Sequence, residues 1–196
     1  MLIAVEGIDG SGKATIAHLL YKHVSKTHKV FLTKEPTDSK LAKLAYKVLL
    51  KKSKGLSPTA LQLLFMADRA QHVDTVIKPK LKAGYIVITD RYILSTLAYG
   101  SVSGVNQKWL ISVNAIFPEP DITLILDVSP AIASKRLSSE GKKKDIFEGN
   151  ASYLKMVRAK YKALAKHHSN CIIINAAKDV RVVEDKAANV IDSYMS

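Results

Sequence analysis

Short hydrophobic runs recur five times along the chain, and longer segments with helical spacing separate them. The runs cover residues 2–5, 29–33, 85–89, 122–127 and 171–175. Several are continuously apolar, as expected for strands that are buried on both faces of a sheet. Strands that alternate with helices form a parallel sheet with helices on both sides. The pattern therefore predicts a three-layer α/β fold with a five-stranded parallel sheet.

The segments around these strands are predicted to be helical. Their ranges are 13–27, 39–52, 58–82, 93–102, 107–116, 130–138, 153–168 and 180–194. At Ser57 and Ser129 a serine directly precedes a proline, which suits a helix N-cap and first turn. The glycine and lysine patch at 141–144 predicts a mobile loop between two helices. Because no repeat or long linker occurs, residues 1–196 are expected to form one domain.

Composition narrows the class of protein. Hydrophobic residues occupy 47% of the positions and charged residues 24%, which is typical of a globular protein. No apolar stretch approaches the roughly 18 residues of a membrane span, and the N-terminus does not resemble a signal peptide. Cys171 is the only cysteine, which excludes an intramolecular disulfide and fits a reducing compartment. We therefore expect a cytoplasmic protein without membrane contact.

Basic residues dominate the charge. Lysine and arginine number 30 against 17 acidic residues, so the formal net charge is +13. Such a chain favours anionic partners, either nucleotides or nucleic acid, and the charge alone does not choose between them. The basic residues are spread along the chain without the interleaved aromatic residues of a single-strand binder. Nucleic-acid binding is therefore not expected as the main role.

A glycine-rich segment with a phosphate-binding pattern follows the first predicted strand. It matches G-x-x-x-x-G-K and consists of Gly7, Ile8, Asp9, Gly10, Ser11, Gly12 and Lys13. Glycines let backbone N–H groups wrap around phosphate oxygens, and the N-terminus of the next helix adds partial positive charge. Lys13 can reach the β- and γ-phosphates of a nucleotide. The alternative is a chance glycine-rich turn, against which the flanking strand and helix argue.

Position 14 departs from this pattern. Ala14 stands where a serine or threonine normally offers its hydroxyl to Mg²⁺. Thr15 comes next, but one helical residue turns a side chain by about 100°, so it does not simply replace that hydroxyl. Two outcomes are open. Either Asp90 holds the metal, directly or through water, or catalysis is weak.

Four motifs together go beyond a generic phosphate-binding loop. They are Asp9 within the loop, the segment LLFMADRAQH at 63–72, the triplet Asp-Arg-Tyr at 90–92, and LDVSP at 126–130. In this order they resemble thymidylate kinase, and the resemblance spans residues 1 to about 165. It implies a P-loop NTPase fold with strand order 2-3-1-4-5, a mobile lid near residues 139–150, and a homodimer.

The resemblance also implies a site for the base of dTMP. Phe65 would stack on the thymine ring, Arg69 would hydrogen-bond its edge, and Thr96 would make a further contact. An aromatic face and a planar guanidinium suit a flat base with polar edges. If the resemblance is set aside, Phe65 is interpreted as a core residue on a leucine-rich helix. In the same alternative interpretation, Asp68 and Arg69 are an exposed pair on that helix.

The sugar and phosphate contacts follow from the same resemblance. Arg91 would hold the acceptor phosphate, because a fork of N–H donors fits phosphate oxygens. Its alternative is a strand-end salt bridge with Asp90. Asp9 would bind the sugar 3′-hydroxyl, and Tyr99 would pack beneath the sugar. Lys34, predicted to contact dTMP, stands where the family usually has an arginine. Lysine keeps the positive charge but lacks the planar pair of N–H donors that arginine offers to a phosphate.

The charge on the transferring phosphoryl group raises a further question. The family often has an arginine in the lid, where this chain has Ile146, or within the phosphate loop, where it has Gly10. The nearest candidates to replace it are the lysines at 142–144, of which Lys143 is the expected catalytic residue. A solvated lysine run is the alternative interpretation.

Together with this resemblance, the sequence predicts transfer of the γ-phosphoryl group of ATP to dTMP, with Mg²⁺ and without a covalent enzyme intermediate. The expected catalytic residues are Lys13, Asp90, Arg91 and Lys143. ATP would bind residues 7–15, and the resemblance implies that Arg136 stacks on the adenine. Two alternatives remain open: a kinase for another nucleoside monophosphate, and a weakly catalytic nucleotide-binding regulator, which Ala14 and Ile146 favour.

Overall fold

Five strands form one sheet in this computed structural model, which describes residues 1–49, 56–139 and 150–195. The strands are β1 (Leu2–Glu6), β2 (Val30–Lys34), β3 (Ile86–Asp90), β4 (Ile122–Asp127) and β5 (Cys171–Asn175). All neighbours pair in parallel, and their order across the sheet is β2-β3-β1-β4-β5. The predicted five-stranded parallel sheet and its strand order are confirmed.

The described helices lie where the hydrophobic spacing predicts them, with ends that differ by a few residues. Residues 50–52 of the helix predicted at 39–52 lie outside the described residues. They are α1 (Lys13–Val24), α2 (Lys40–Leu49), α3 (Pro58–His72), α4 (Lys78–Lys82), α5 (Ile93–Val102), α6 (Gln107–Asn114), α7 (Pro130–Ser139), α8 (Ala151–Ala165) and α9 (Val180–Met195). Both serine caps are confirmed, since Ser57 Oγ accepts from Ala60 N–H at 3.2 Å and Ser129 Oγ from Ile132 N–H at 3.3 Å.

One predicted helix, 58–82, is interrupted by a π-helical turn at Val73–Ile77 that separates α3 from α4. At its end the Lys78 N–H bonds to the carbonyl of Val73 rather than to the usual i−4 carbonyl. Pro79 follows, and proline both lacks a backbone donor and crowds the preceding turn. The widened turn accommodates this proline within an otherwise continuous helical path.

The sheet is covered on both faces. Ile3 and Val5 belong to a buried cluster with side chains of α1, α8 and α9, whereas Leu2 and Ala4 belong to a second cluster that includes Val73. Successive residues of a strand point to opposite faces, so this division follows from the period of two. Among the described residues, no helix combines the length and apolar character needed to cross a membrane.

The carboxyl ends of four strands meet at one edge of the sheet. Val5 is in register with Asp90 of β3 and with Leu124 of β4, and Lys34 of β2 is also in register with Asp90. In open α/β sheets, ligands bind outside the carboxyl ends of the strands. The loops that follow β1 to β4 are therefore the first place to look for a site.

Candidate functional site

The phosphate loop, residues 7–13, connects β1 to α1 and packs tightly against its neighbours. Gly7 and Gly10 have positive φ angles of 142° and 78°. A Cβ at Gly10 would lie 2.4 Å from the Ala133 carbonyl oxygen, and one at Gly7 would lie 2.7 Å from that of Leu126. Glycine is therefore required at both positions. An arginine at position 10 therefore does not fit against α7.

Lys13 lies buried against this loop. Its Nζ donates to the Ile8 carbonyl at 2.9 Å and is 3.9 Å from Asp9 Oδ1. Burial and the nearby Arg91 guanidinium lower the pKa of Lys13, while Asp9 and other carboxylates oppose the shift. The ammonium group is thus held beside the backbone amides that would surround a phosphate.

Asp9, Arg91 and Tyr99 form a partly buried polar cluster at the end of the loop. Asp9 accepts hydrogen bonds from the Arg91 guanidinium and from Tyr99 Oη, the latter at 2.8 Å. The Arg91 guanidinium also lies 5.3 Å from the centre of the Tyr99 ring. Burial would raise the pKa of Asp9, but Arg91 and Lys13 outweigh it and lower the value to about 2. Burial likewise opposes the charge of Arg91, yet Asp9 raises its pKa well above the usual range.

The backbone of Arg91 is held in an uncommon conformation, with φ at 70°. Its N–H donates to Val5 O and its carbonyl accepts from Thr89 Oγ1, both at 2.9 Å. The guanidinium also donates to Ser95 Oγ at 3.0 Å. Positive φ in a residue other than glycine persists only where the surroundings enforce it, and it occurs often at functional sites. The alternative salt bridge between Arg91 and Asp90 is absent, although the structure describes both residues.

Glu6 accepts hydrogen bonds from the backbone that directly follows Arg91. One carboxylate oxygen accepts from the N–H groups of Tyr92 and Ser95 at 2.8 and 3.0 Å, and the other accepts from Ser95 Oγ and Tyr161 Oη at 2.6 and 2.9 Å. Burial raises the pKa of Glu6, and the hydrogen bonds and Arg91 oppose the shift. Glu6 therefore caps α5, directly after Arg91. Sequence analysis did not assign this capping role to Glu6. The one signal in the sequence was the position of Glu6 directly before Gly7 of the phosphate loop.

A cavity of about 230 Å³ opens beside the Asp9 and Arg91 cluster. Its walls are formed by Asp9, Glu35, Pro36, Tyr46, Leu49, Gln62, Phe65, Asp68, Arg69, Arg91, Ser95, Thr96 and Tyr99. Six of the seven residues predicted for the acceptor site share this cavity, hereafter the acceptor pocket. Sequence analysis did not assign the contributions of Glu35, Tyr46 and Gln62. Gln62 could have been found, because it shares a helix face with Phe65 and Arg69.

Lys34 is the predicted acceptor residue that does not line this pocket. Its side chain is 61% exposed, and Nζ lies 3.7 Å from Asp38. It borders a separate cleft of about 570 Å³ beside β2, together with Asp90. The last residue of β2 points outward at the sheet edge, and this orientation separates Lys34 from Arg91.

Arg69 is anchored deep in the wall of the acceptor pocket. Nε donates to Glu35 at 2.7 Å, Nη1 donates to Thr96 Oγ1 and Asn114 Oδ1 at 2.9 and 2.7 Å, and Nη2 donates to the Tyr92 carbonyl at 2.8 Å. Four of the five N–H donors of the guanidinium are thereby used. At 3% exposure, Arg69 is not the exposed helix residue of the alternative interpretation.

The neighbours of Arg69 on α3 also have buried partners. Asp68 accepts from the Thr37 N–H at 2.8 Å and from Ser39 Oγ at 2.6 Å, which ties the loop after β2 to the helix. His72 is 3.0 Å from Glu35 Oε1, through Nδ1. Glu35 thus links Arg69 to His72 and orients both.

Phe65 lies between a small hydrophobic cluster and the acceptor pocket. It is partly buried against the hydrophobic cluster of Ala45, Leu49 and Leu61, and it also lines the acceptor pocket. One side of the ring completes a small core between α2 and α3. The side chain nevertheless remains part of the pocket wall.

Arg136 lies against the phosphate loop, and Asp90 ends β3. Arg136 donates to the Ser11 and Ala176 carbonyls at 3.3 and 2.9 Å, which holds it beside the loop. Asp90 Oδ1 is buried and has no hydrogen-bond partner among the described residues. Ala14 borders the same cleft as Asp90 and is exposed, as is Thr15. Within the described ranges, no group of three or more histidine, cysteine or acidic residues is arranged to hold a metal.

The predicted lid lies outside the described residues, apart from its two ends. This applies to Ile146 and to the lysines at 142–144, including Lys143. Their proposed part in charge stabilisation therefore stays a prediction.

Comparison with known proteins points to one family. A family model described as thymidylate kinase matches residues 5–187. A probable thymidylate kinase of Sulfolobus acidocaldarius is 36% identical, over 100% of this chain and 98% of its own length. One from Thermococcus kodakarensis is 39% identical over the same shares of both chains. One from Pyrococcus horikoshii is 40% identical over 91% of this chain and 89% of its own.

Proposed function

Because the chain belongs to the thymidylate kinase family, whose members are phosphotransferases, we propose that it transfers the γ-phosphoryl group of ATP to dTMP and forms dTDP. Kinase activity toward nucleotides follows from the family, and the choice of dTMP is the proposal. The observation that carries it is the acceptor pocket. Phe65, Arg69 and Arg91 line one cavity directly beside the phosphate loop.

The donor phosphates would bind the loop amides and Lys13. The loop is shaped by glycines that admit no side chain, so its backbone can approach a phosphate closely. Lys13 would move its ammonium group from the Ile8 carbonyl to the β- and γ-phosphates. Arg136 lies against the loop where it could stack on the adenine.

The acceptor would lie with its phosphate toward Arg91 and its base toward Arg69. Arg91 is fixed by Asp9 and Ser95, so its guanidinium would hold the phosphate oxygens in line with the donor. Asp9 and Tyr99 lie on the same side and would face the sugar. Phe65 would offer its ring to the base. Such a site works by positioning and charge stabilisation and needs no covalent step.

Asp90 fits the requirements for holding Mg²⁺, either directly or through water. Its Oδ1 is buried, unpaired among the described residues and close enough to Lys13 to affect that residue's pKa. Carboxylate oxygen is a preferred ligand of Mg²⁺, which usually keeps several waters. When bound, the ion would neutralise charge on the donor phosphates. Lys143 and its neighbours in the lid are proposed to supply further positive charge.

We also propose a single-domain subunit that forms a homodimer in the cytoplasm. The likeness to the family supports this assembly. Leu63 on α3 and Ile111 on α6 are each about half exposed, so apolar surface is available for a partner. Size-exclusion chromatography with light scattering tests it, and a monomer at micromolar concentration would exclude it.

A coupled assay of ADP release tests the proposed reaction. It compares dTMP, dUMP, UMP, CMP and no acceptor in the presence of ATP and Mg²⁺. ADP formation that depends on dTMP supports the proposal. Preference for another acceptor identifies a different nucleoside monophosphate kinase. Binding of ATP and dTMP without turnover supports the regulator, and Ala14 then becomes the first position to change.

A further inference from the structure

Gln62 carries an unpaired amide oxygen in the wall of the acceptor pocket. The residue is 1% exposed, and its Oε1 has no hydrogen-bond partner among the residues that the structure describes. A buried amide oxygen without a partner lowers the stability of a protein, so most such groups are paired. In a pocket wall, a bound ligand can supply the missing donor.

The amide is fixed close to the residues proposed to read the base. Gln62, Phe65 and Arg69 lie three and four residues apart on α3 and line the same pocket. Across from them, a Cβ at Gly100 would lie 3.2 Å from Cγ and Cδ of Gln62. Gly100 is one helical turn after Thr96 on α5. The glycine thus leaves the space that the Gln62 side chain occupies.

The polar groups at this end of the pocket offer both donors and an acceptor. Arg69 keeps one N–H beyond its four bonds, and the Thr96 hydroxyl accepts from Arg69 and can still donate. Gln62 Oε1 adds an acceptor. The edge of thymine or uracil presents the complementary set, in which two carbonyl oxygens flank the N3–H group. Cytosine instead has a bare N3 and an amino group at position 4.

We infer that Gln62 accepts a hydrogen bond from the N3–H of the acceptor base and thereby selects thymine or uracil over cytosine. This inference rests on the proposed function, because it takes the acceptor pocket as the base site. A reversed amide would place its N–H groups toward the base and would favour cytosine instead. The two orientations therefore predict opposite preferences.

The variant Gln62→Met tests the inference, because methionine has a similar shape and no hydrogen-bonding amide. We expect kcat/KM for dTMP to fall about tenfold, mainly through KM, while that for dCMP changes less than twofold. The melting temperature should not fall, since a buried unpaired group is removed. Thr59→Met, at an exposed position of the same helix, should leave kcat/KM for both acceptors unchanged.

An equal fall for dTMP and dCMP, or an unchanged ratio between them, would overturn the inference and make Gln62 a packing residue. If Gln62→Met does not fold, Gln62→Leu replaces it, because leucine also lacks the amide. Calorimetry then compares the binding of dUMP and dCMP to this variant and to the unaltered protein. We expect the unaltered protein to bind dUMP at least about tenfold more tightly than dCMP, since these acceptors differ in the groups at positions 3 and 4, and the variant to lose most of this preference. An equal preference in the two proteins would overturn the inference. Absence of ADP formation with every acceptor would refute the proposed function, and the two binding ratios would still decide the role of Gln62.

Discussion

Arg91 forms an ion pair with Asp9, so the residue that follows β3 is tied directly to the phosphate loop. Tyr99 donates to the same carboxylate and lies under the Arg91 guanidinium. The group proposed to hold the acceptor phosphate is therefore positioned by the loop proposed to hold the donor. The ion pair therefore fixes the proposed acceptor-phosphate site relative to the proposed donor site before either nucleotide binds.

Replacement of Arg91 by lysine should strongly impair the reaction. Lysine keeps the charge, but its single nitrogen can neither form the fork to a phosphate nor reproduce the two separate contacts to Asp9 and Ser95. We expect kcat/KM for dTMP to fall on the order of 100-fold. Steady-state kinetics measures this, with Arg181→Lys on the exposed part of α9 as the control. Activity within threefold of the unaltered protein would contradict the role of Arg91.

The depressed pKa of Asp9 makes a prediction about stability and pH. Its value of about 2 in the folded state lies below the ordinary 3.8, so the ionised carboxylate stabilises the fold. That contribution, roughly 2 kcal/mol, is present above pH 4 and is lost as the pH falls through 2. Asp9→Asn should therefore lower the free energy of unfolding by about this amount at pH 6 and by roughly half as much at pH 3.

Urea denaturation at the two pH values measures the difference. Asp185→Asn, at an exposed position on α9, is the matched control and should change the free energy of unfolding little at either pH. A gap between Asp9→Asn and the unaltered protein that stays constant from pH 6 to pH 3 would show that the Asp9 charge does not stabilise the fold.

A hydroxyl at position 14 should strengthen the proposed metal site. Ala14 borders the same cleft as Asp90, so a threonine there would place a second oxygen ligand near the carboxylate. We expect Ala14→Thr to lower the Mg²⁺ concentration for half-maximal activity about tenfold. A Mg²⁺ titration of the initial rate measures this, with Ala163→Thr on the exposed face of α8 as control. No change in the titration would place the ion away from position 14.

Glu35 is predicted to hold the base site together. It pairs with Arg69 at 2.7 Å and contacts His72 at 3.0 Å, and all three residues are buried. Glu35→Gln removes the charge, which should cost about 2 kcal/mol of unfolding free energy. The KM for dTMP should rise severalfold while the KM for ATP stays unchanged. Glu119→Gln, on the surface, is the control. Equal changes in the two KM values would mean that Glu35 acts only on stability.

The sheet could be predicted from the sequence because its strands are continuously apolar and alternate with helical segments. The strand ends were less predictable. Residues 29–33 and 85–89 were expected, but β2 and β3 end one residue later, because Lys34 and Asp90 are in register with each other. Backbone pairing of this kind leaves no trace in hydrophobicity. The π-helical turn before Pro79 likewise depends on local backbone geometry.

Only those site residues that belong to recognisable sequence motifs could be predicted. Asp9, Arg69 and Arg91 carry recognisable patterns, and the structure brings them to one pocket. Glu35 could not be assigned, since a buried carboxylate has meaning only once Arg69 is known to face it. Gln62 shares a helix face with Phe65 and Arg69, but only the structure shows that its amide oxygen has no partner among the described residues. Their roles depend on contacts between distant parts of the chain.

Phosphorus NMR of a mixture of ATP, dTMP, Mg²⁺ and the protein tests directly whether this chain phosphorylates dTMP, because dTMP has a phosphomonoester signal of its own. We expect that signal to disappear as ATP is consumed, without a matching release of inorganic phosphate, and Lys13→Ala to abolish this change. Consumption of ATP without dTDP, or no consumption while both nucleotides bind, would contradict the claim that this chain phosphorylates dTMP.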